Sequence, residues 1–432
     1  MQDFLQRYFQ LDDHRTNVRT ELIAGVTTFL SMAYITVVNP AILSDAGMDF
    51  GAVFVATCIA AAVGSLFMGV WANYPIAQAP GMGQNAFFTY GIVLGLGHTW
   101  EAALGAVFVS GIIFVILSVL PVREWLINAI PRNLKLGISA GIGLFLGFIA
   151  LKNAGVVVAN PATLVTFGDM AAPGAIICLA GFALIVALTA RGVTGAVIIG
   201  MLVATVLGLA VGAAEYQGIV AAPPSLSPVL FKFDLMAVLD VSMVTVVLTM
   251  LLVDVFDTAG TLVGVANRAG LTDSDGKLPR LGRALLSDST ATVVGALAGT
   301  SSTTSYIESA AGVESGGRTG LVAVTAAGLF LLCLFLAPLA QTIPAFATSA
   351  ALLFVACLMS KSLAELDWED LTESAPAIVC ALGMPLSFSI ADGIGLGFIT
   401  YVAIKLMSGR VSECPAAVVV IGAVFLGKFL FL

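Results

Sequence analysis

The chain has 432 residues, of which 59% are hydrophobic and only 10% charged, with a formal net charge of −8 and a mean hydropathy of +1.04. Soluble domains carry roughly a quarter charged residues, so this composition excludes an ordinary water-soluble enzyme or nucleic-acid binder and predicts an integral membrane protein. No Asp, Glu, Lys or Arg occurs from Gly51 to Trp100 or from Thr319 to Ser360, and each run is long enough for two helical crossings of about 20 residues.

In chain order, residues 1 to 21 are polar and charged and read as a cytoplasmic arm without a cleavable signal. Seven apolar segments follow near 22 to 40, 50 to 72, 76 to 95, 101 to 120, 135 to 151, 173 to 190 and 193 to 213. Pro- and Ala-rich loops lie around 153 to 172 and 214 to 238, the second being an extracytoplasmic linker that ends at 239. Seven more segments follow near 240 to 262, 285 to 299, 303 to 316, 319 to 340, 344 to 360, 373 to 388 and 389 to 407. The piece 411 to 432 holds a last apolar stretch, 414 to 431, as a further crossing, a re-entrant segment or an interfacial helix. With the N-terminus inside, the inner loops hold Arg123, Arg132, Lys135, Arg191, Arg268, Lys277, Arg280, Arg283, Arg318, Lys361, Lys405 and Arg410. The outer loops hold only Lys152 and Lys232, a positive-inside bias that favours fourteen crossings. Seven plus seven predicts an all-α polytopic protein whose second repeat, 240 to 410, is inverted relative to the first, 22 to 213, as in secondary transporters with sites at broken helices.

The chemistry concentrates in a few of these segments. In "LVDVFDTAGT" the carboxylates Asp254 and Asp257 share one helix face with Thr258 and Thr261. Acidic groups at membrane depth mark a substrate or proton route unless they are paired. Glu308 follows "GTSSTTSYI", whose hydroxyls, Thr304 and Ser305 among them, can satisfy an unwound backbone or cap a helix opening near Ser305. Asp288 reads as a helix-start cap, and Glu314 with Arg318 as a local pair. In "APGMGQNAFFTYG", Pro80, Gly81 and Gly83 interrupt a helix and free backbone groups for a small ligand. Asn85 there can donate and accept at once, while Phe87, Phe88, Tyr90 and, on the acidic segment, Phe256 offer stacking surface. The set suits an uncharged or cationic polar solute. The six cysteines have no metal or disulfide spacing, and no catalytic residues, metal or cofactor are expected.

"APGMGQNAFFTY", "DVFDTAGTLVGVANRAG", "GTSSTTSYIESAAGVESGGRTG" and "FSIADGIGLGFITY" resemble the AzgA-like purine permeases of the nucleobase/ascorbate transporter superfamily, over essentially the whole chain. The resemblance implies a UraA-like fold with short strands in segments 3 and 10. It also implies a core domain of 22 to 120 plus 240 to 340 and a gate domain of 135 to 213 plus 344 to 410. It implies elevator-type proton symport of adenine, guanine or hypoxanthine across the plasma membrane, the inner membrane in a Gram-negative source, and a homodimer through the gates. Carried over by motif, the base and proton would be handled by Asn85, Asp254 and Glu308, framed by Gly83, Thr304 and Ser305, with Asp257 and Glu308 coupling the proton.

Two rivals remain at this stage. A same-fold carrier of uracil, xanthine or another heterocycle fits the same donors and acceptors. A proton or solute channel would need a continuous polar stripe, whereas the ionisable groups cluster in two segments. An enzyme is disfavoured, since "GMGQNA" lacks the strand and lysine of a nucleotide-binding motif.

Overall fold

A chain crossing hydrocarbon must bond its own backbone groups, and helices do this within one segment. The computed structural model describes residues 2 to 120, 130 to 272 and 278 to 431, so Arg123 and Lys277 of the charge argument lie outside the described residues. The first stretch holds α1 (Gln2–Tyr8), α2 (Val18–Met32), α3 (Ile35–Ser44) and α4 (Phe50–Phe67), the last continued by a π-helical turn, Met68–Ala72. Then come β1 (Gln78–Pro80), α5 (Met82–Ala86) running on as π-helix through Phe87–Val93, and α6 (Trp100–Val119). Beyond residue 130 follow α7 (Arg132–Asn153), the hairpin of β2 (Val157–Asn160) and β3 (Leu164–Phe167), α8 (Pro173–Ala190) and α9 (Ala196–Ala210). The second half contains α10 (Val241–Arg268), α11 (Leu281–Ala298), β4 (Thr303–Ser305), α12 (Ser309–Glu314) and α13 (Leu321–Cys333). It ends with α14 (Ala337–Thr342), α15 (Ala345–Ser360), α16 (Leu371–Ser387), α17 (Ile390–Met407) and α18 (Ala416–Phe431).

Polar residues set where several helices start. Asn17, Asp49, Thr99, Asp240, Asp370 and Ser389 each accept a backbone N–H two or three residues on, at 2.8 to 3.2 Å. Each satisfies a donor that the first helical turn leaves without an internal partner.

The expected fourteen crossings in a seven-plus-seven inverted repeat are not what the chain forms. Among the described residues nine helices are long and apolar enough to cross a membrane, three further apolar helices are shorter, and the β-sheets are two small open pairs. The Gly, Pro, Ser and Thr runs explain the difference. The expected segment 303 to 316 breaks into β4 and the six-residue α12, and 76 to 95 into β1 and a short α–π helix, because these residues cannot sustain an 18-residue helix. Pro376 and Pro385 lie inside α16, which stops at 17 residues. The loop expected at 153 to 172 contains the β2–β3 hairpin, with Val157 opposite Phe167.

Polar contacts sort the helix ends into two groups. At one end, Glu21 of α2, fully buried, accepts from the backbone N–H groups of Arg318 and Thr319 at 2.9 and 3.1 Å. Arg268 at the end of α10 pairs with Glu314 at 3.3 Å, and Arg132 with Glu365 at 3.6 Å. The buried Lys405 reaches Glu373 at 2.8 Å and Glu413 at 3.0 Å, fixing the turn before α18. At the opposite end Tyr90 donates to Asp45 at 2.6 Å, and Lys428 bonds Asp392 at 2.7 Å. Residues 416 to 431 are therefore a helix running antiparallel to α17 from the Lys405 end to the Asp392 end.

Glycine permits one close crossing that positions the interior. A Cβ on Gly320, just before α13, would lie 1.9 Å from the carbonyl oxygen of Gly69. Gly320 has φ −61°, a conformation open to alanine, so any penalty there is steric. Gly320→Ala is expected to destabilise the detergent-solubilised protein by about 3 kcal/mol, the upper end for overpacking. Gly328→Ala, which meets nothing within 4 Å, should leave its melting temperature nearly unchanged.

Candidate functional site

The two broken segments meet at the middle of the fold. β1 and β4 pair antiparallel, with Gln78 opposite Ser305, Ala79 opposite Thr304 and Pro80 opposite Thr303. The ladder is extended by Gly81 N–H to the Ser302 carbonyl at 2.9 Å and Tyr306 N–H to the Ala77 carbonyl at 3.0 Å. Pro80 contributes no N–H, and its carbonyl accepts from the Tyr306 hydroxyl at 2.6 Å. Backbone groups that a continuous helix would have bonded internally are thus paired across the crossing, as a buried segment requires.

Asp288 fastens the crossing to its surroundings. Its Oδ1 accepts from Gln78 Nε2 at 2.9 Å and from the Ser305 hydroxyl at 2.8 Å, and its Oδ2 from the Thr258 hydroxyl at 2.6 Å. One carboxylate therefore links β1, β4, α10 and α11. The expected role of Asp288 as a helix-start cap is corrected: α11 begins at Leu281, so Asp288 lies two turns inside it and is fully buried.

Asp254 and Asp257 differ although they share a helix. Three residues turn roughly 60° short of a full circle on an α-helix. Asp254 faces inward, where its Oδ2 accepts from the Thr292 hydroxyl at 2.9 Å and its Oδ1 has no partner. Asp257 is exposed, with Gly260, Val263 and Ile307, along the half of α10 nearer Arg268. Phe256 beside it is half-buried, with Lys135 Nζ 5.8 Å from its ring centre. Glu308 is half-buried just ahead of α12 and accepts from the Tyr34 hydroxyl at 2.6 Å. It does not cap α12 with its side chain. Tyr34, between α2 and α3, is fully buried.

The remaining expected residues divide between the site and its scaffold. Asn85 is fully buried on α5; its Oδ1 accepts from the Ser301 hydroxyl and its Nδ2 is unpartnered. The Thr304 hydroxyl is engaged with that of Thr258 at 2.8 Å and Ser305 with Asp288, so both hold the crossing. Gly83 admits the Ile142 side chain of α7, whose Cγ2 a Cβ would meet at 2.5 Å. Phe87 is buried, its ring against Gly91, and Tyr90 is bonded to Asp45 and Asn153. Of the expected stacking rings, Phe256 borders the exposed strip. Arg318 bonds the carbonyls of Val313 and Gly317, while Glu314 pairs with Arg268, so those two are not partners of each other. Sequence reasoning missed Gln84 and Gln78, neutral amides without a charge to mark them.

Four carboxylates around a helix-interrupted crossing, inside a bundle of apolar helices, define a polytopic membrane permease. Residues 19 to 396 match the family model described as Permease family, and the chain belongs to that family. The chain is 47% identical to the adenine permease AdeP of Escherichia coli over all of this chain and 97% of that one. It is 45% identical to the guanine/hypoxanthine permease PbuO of Bacillus subtilis, over 96% of this chain and 98% of that one. Among solved structures, the transmembrane domain of a cyanobacterium bicarbonate transporter, BicA, superposes with a TM-score of 0.66 at 16% identity, covering 87% of this chain and 97% of that one. That last likeness concerns the fold alone.

Proposed function

We propose that this permease imports purine nucleobases, adenine, guanine or hypoxanthine, by proton symport. The observation that carries this reading is the pairing of unmatched polar atoms, Asn85 Nδ2 and Asp254 Oδ1, with two carboxylates at the edge of an open strip, Asp257 and Glu308. A neutral base with ring N–H donors and ring-nitrogen acceptors complements such a set. An anion would meet the carboxylates of Asp254, Asp257 and Glu308 there. The two relatives, named for adenine and for guanine and hypoxanthine, point to the same chemistry.

In this reading Glu308 accepts from the ring N–H groups after leaving Tyr34, and Asn85 bonds the opposite edge. Gly83, Thr304 and Ser305 shape the floor, Phe256 stacks on the base, and Phe87 supports the wall. Asp257, with Glu308, takes up and releases the proton, and Asp254 bonds the base through its unmatched Oδ1. Residues 22 to 120 with 240 to 340 move as a core against a gate of 135 to 213 with 344 to 410, and two copies associate through their gates. Proton and base each raise the other's affinity, as linkage requires.

The test is uptake of labelled adenine, hypoxanthine, guanine and uracil by cells lacking their own nucleobase carriers, at acidic and neutral external pH. Purine uptake that rises at acidic pH and collapses with an uncoupler is the expected result. Absence of purine uptake by a membrane-inserted protein overturns the substrate, and uptake indifferent to the uncoupler overturns the coupling.

A further inference from the structure

Gln84 sits beside the site, its side-chain amide directed at the Asp254 carboxylate. It is 1% exposed on α5, and both ends of its amide, Oε1 and Nε2, lack a hydrogen-bond partner. It interacts with the Asp254 carboxylate at less than full hydrogen-bond geometry, so that Asp254 Oδ1 is left without a proper partner, and the next residue, Asn85, leaves Nδ2 unpartnered. Native interiors leave few buried polar atoms unmatched, because each forfeits its hydration without compensation. Three side chains in this state on two touching elements call for a ligand that completes them.

The three are not equivalent. Asn85 is held at Oδ1 by Ser301 and Asp254 at Oδ2 by Thr292, which fixes which atom each presents. Gln84 has no partner at full hydrogen-bond geometry at either end and only its interaction with Asp254 to orient it, so its amide can turn over and offer a donor or an acceptor at the same place. Space for that turn exists because residue 81 is glycine. A Cβ there would stand 3.3 Å from Gln84 Oε1 and 2.8 Å from Thr304 Cγ2, yet Gly81 has φ −74°, so the backbone itself does not demand glycine.

Building on the purine reading above, we propose that Gln84 is a specificity-determining residue whose amide reads the substituent at C6 of the base together with ring nitrogen N1. In adenine these positions present a donor beside an acceptor, and in a 6-oxopurine an acceptor beside a donor. A carboxamide complements either pattern after a half-turn. A lysine, an arginine or an ionised carboxylate complements neither. One site thereby accepts both kinds of 6-substituted purine, while a purine bearing only hydrogen at C6 gains less from it.

The experiment is a cycle that changes protein and substrate together, so that general damage to transport cancels. Initial uptake rates of adenine, hypoxanthine and unsubstituted purine give kcat/KM for the wild type, Gln84→Leu and Gln84→Asn. A two-point amide contact predicts a wild-type preference for adenine and hypoxanthine over unsubstituted purine of about tenfold to a hundredfold. In Gln84→Leu that preference collapses toward one through a rise in KM, with the unsubstituted purine little affected. If Gln84→Leu fails to reach the membrane, Gln84→Asn, one methylene shorter, must still shrink the ratio. An adenine-to-purine ratio equal to the wild type's in either variant overturns the proposal, even if all uptake falls, since that marks a residue that only positions Asp254. Wild-type cells taking up none of the three bases overturns the purine reading and this proposal with it, whereas wild-type uptake with unchanged ratios removes Gln84 alone.

Discussion

Glu308→Gln is expected to cut uptake about a hundredfold, and the remainder is expected to lose its response to external pH and to an uncoupler. The glutamine keeps the volume and can still accept from Tyr34, which now donates at 2.6 Å. It cannot take up a proton, and it offers one acceptor oxygen where the carboxylate offers two. A hydrogen bond to a charged group contributes roughly 1.5–3 kcal/mol, so the loss of one such bond to the base spans about tenfold to more than a hundredfold. Proton-driven accumulation at the wild-type level in this variant would remove Glu308 from the mechanism. A variant that binds base in detergent but no longer concentrates it in cells separates the coupling role from the binding role.

The second large effect belongs to Asp288, and it concerns stability. Asp288→Ala removes the shared acceptor of three donors, the Gln78 amide and the hydroxyls of Ser305 and Thr258, inside a fully buried cluster, leaving them only the weaker Gln78–Ser305 contact and the Thr258–Thr304 bond. A buried donor left without its acceptor costs about 1–3 kcal/mol, and several such losses add up in one place. The solubilised protein is expected to melt far below the wild type and to lose transport because β1 and β4 are no longer fastened to α10 and α11. Asp257→Asn is the contrast: that side chain is exposed, and such changes usually shift stability by less than about 0.5 kcal/mol. An Asp288→Ala protein that melts with the wild type would show that the crossing holds itself.

The two aspartates show what the sequence could and could not reveal. Asp257 and Asp254 stand out because charge is scarce in apolar runs, and scarcity is readable without coordinates. Asp288 is read wrongly for a local reason. In "GRALLSDSTATVV" the arginine and the serine–aspartate pair look like a helix beginning, since Ser and Asp are good caps. Tertiary contacts instead start the helix at Leu281 and give the carboxylate three donors from other elements, none of them within ten residues in the chain. The long apolar helices were legible: the expected 50 to 72 is Phe50–Ala72, and 389 to 407 is Ile390–Met407. The overall count was not, because segment counting assumes that every apolar stretch crosses, whereas Gly, Pro, Ser and Thr at 76 to 95 and 303 to 316 divert the chain into short strands and half-helices. Gln84 stayed invisible since an amide shows its importance only by what surrounds it, and its neighbours come from α10 and from Gly81.

The pairing of β1 with β4 also sets a timetable for making the protein. Gln78 and Ser305, joined on the same ladder and linked by a side-chain contact at 3.3 Å, are separated by 227 residues. A ribosome adding about 5–20 residues per second needs roughly ten to fifty seconds to cover that distance. Through that interval the first-half strand has no partner, and an unpaired strand edge in hydrocarbon is both costly and prone to pair wrongly. The nascent N-terminal half must therefore wait with residues 78 to 80 sheltered, in the insertion machinery or in a water-filled cleft, until the chain beyond Thr303 arrives. Truncations that end before β4 should consequently be cleared by membrane quality control instead of accumulating as half-transporters.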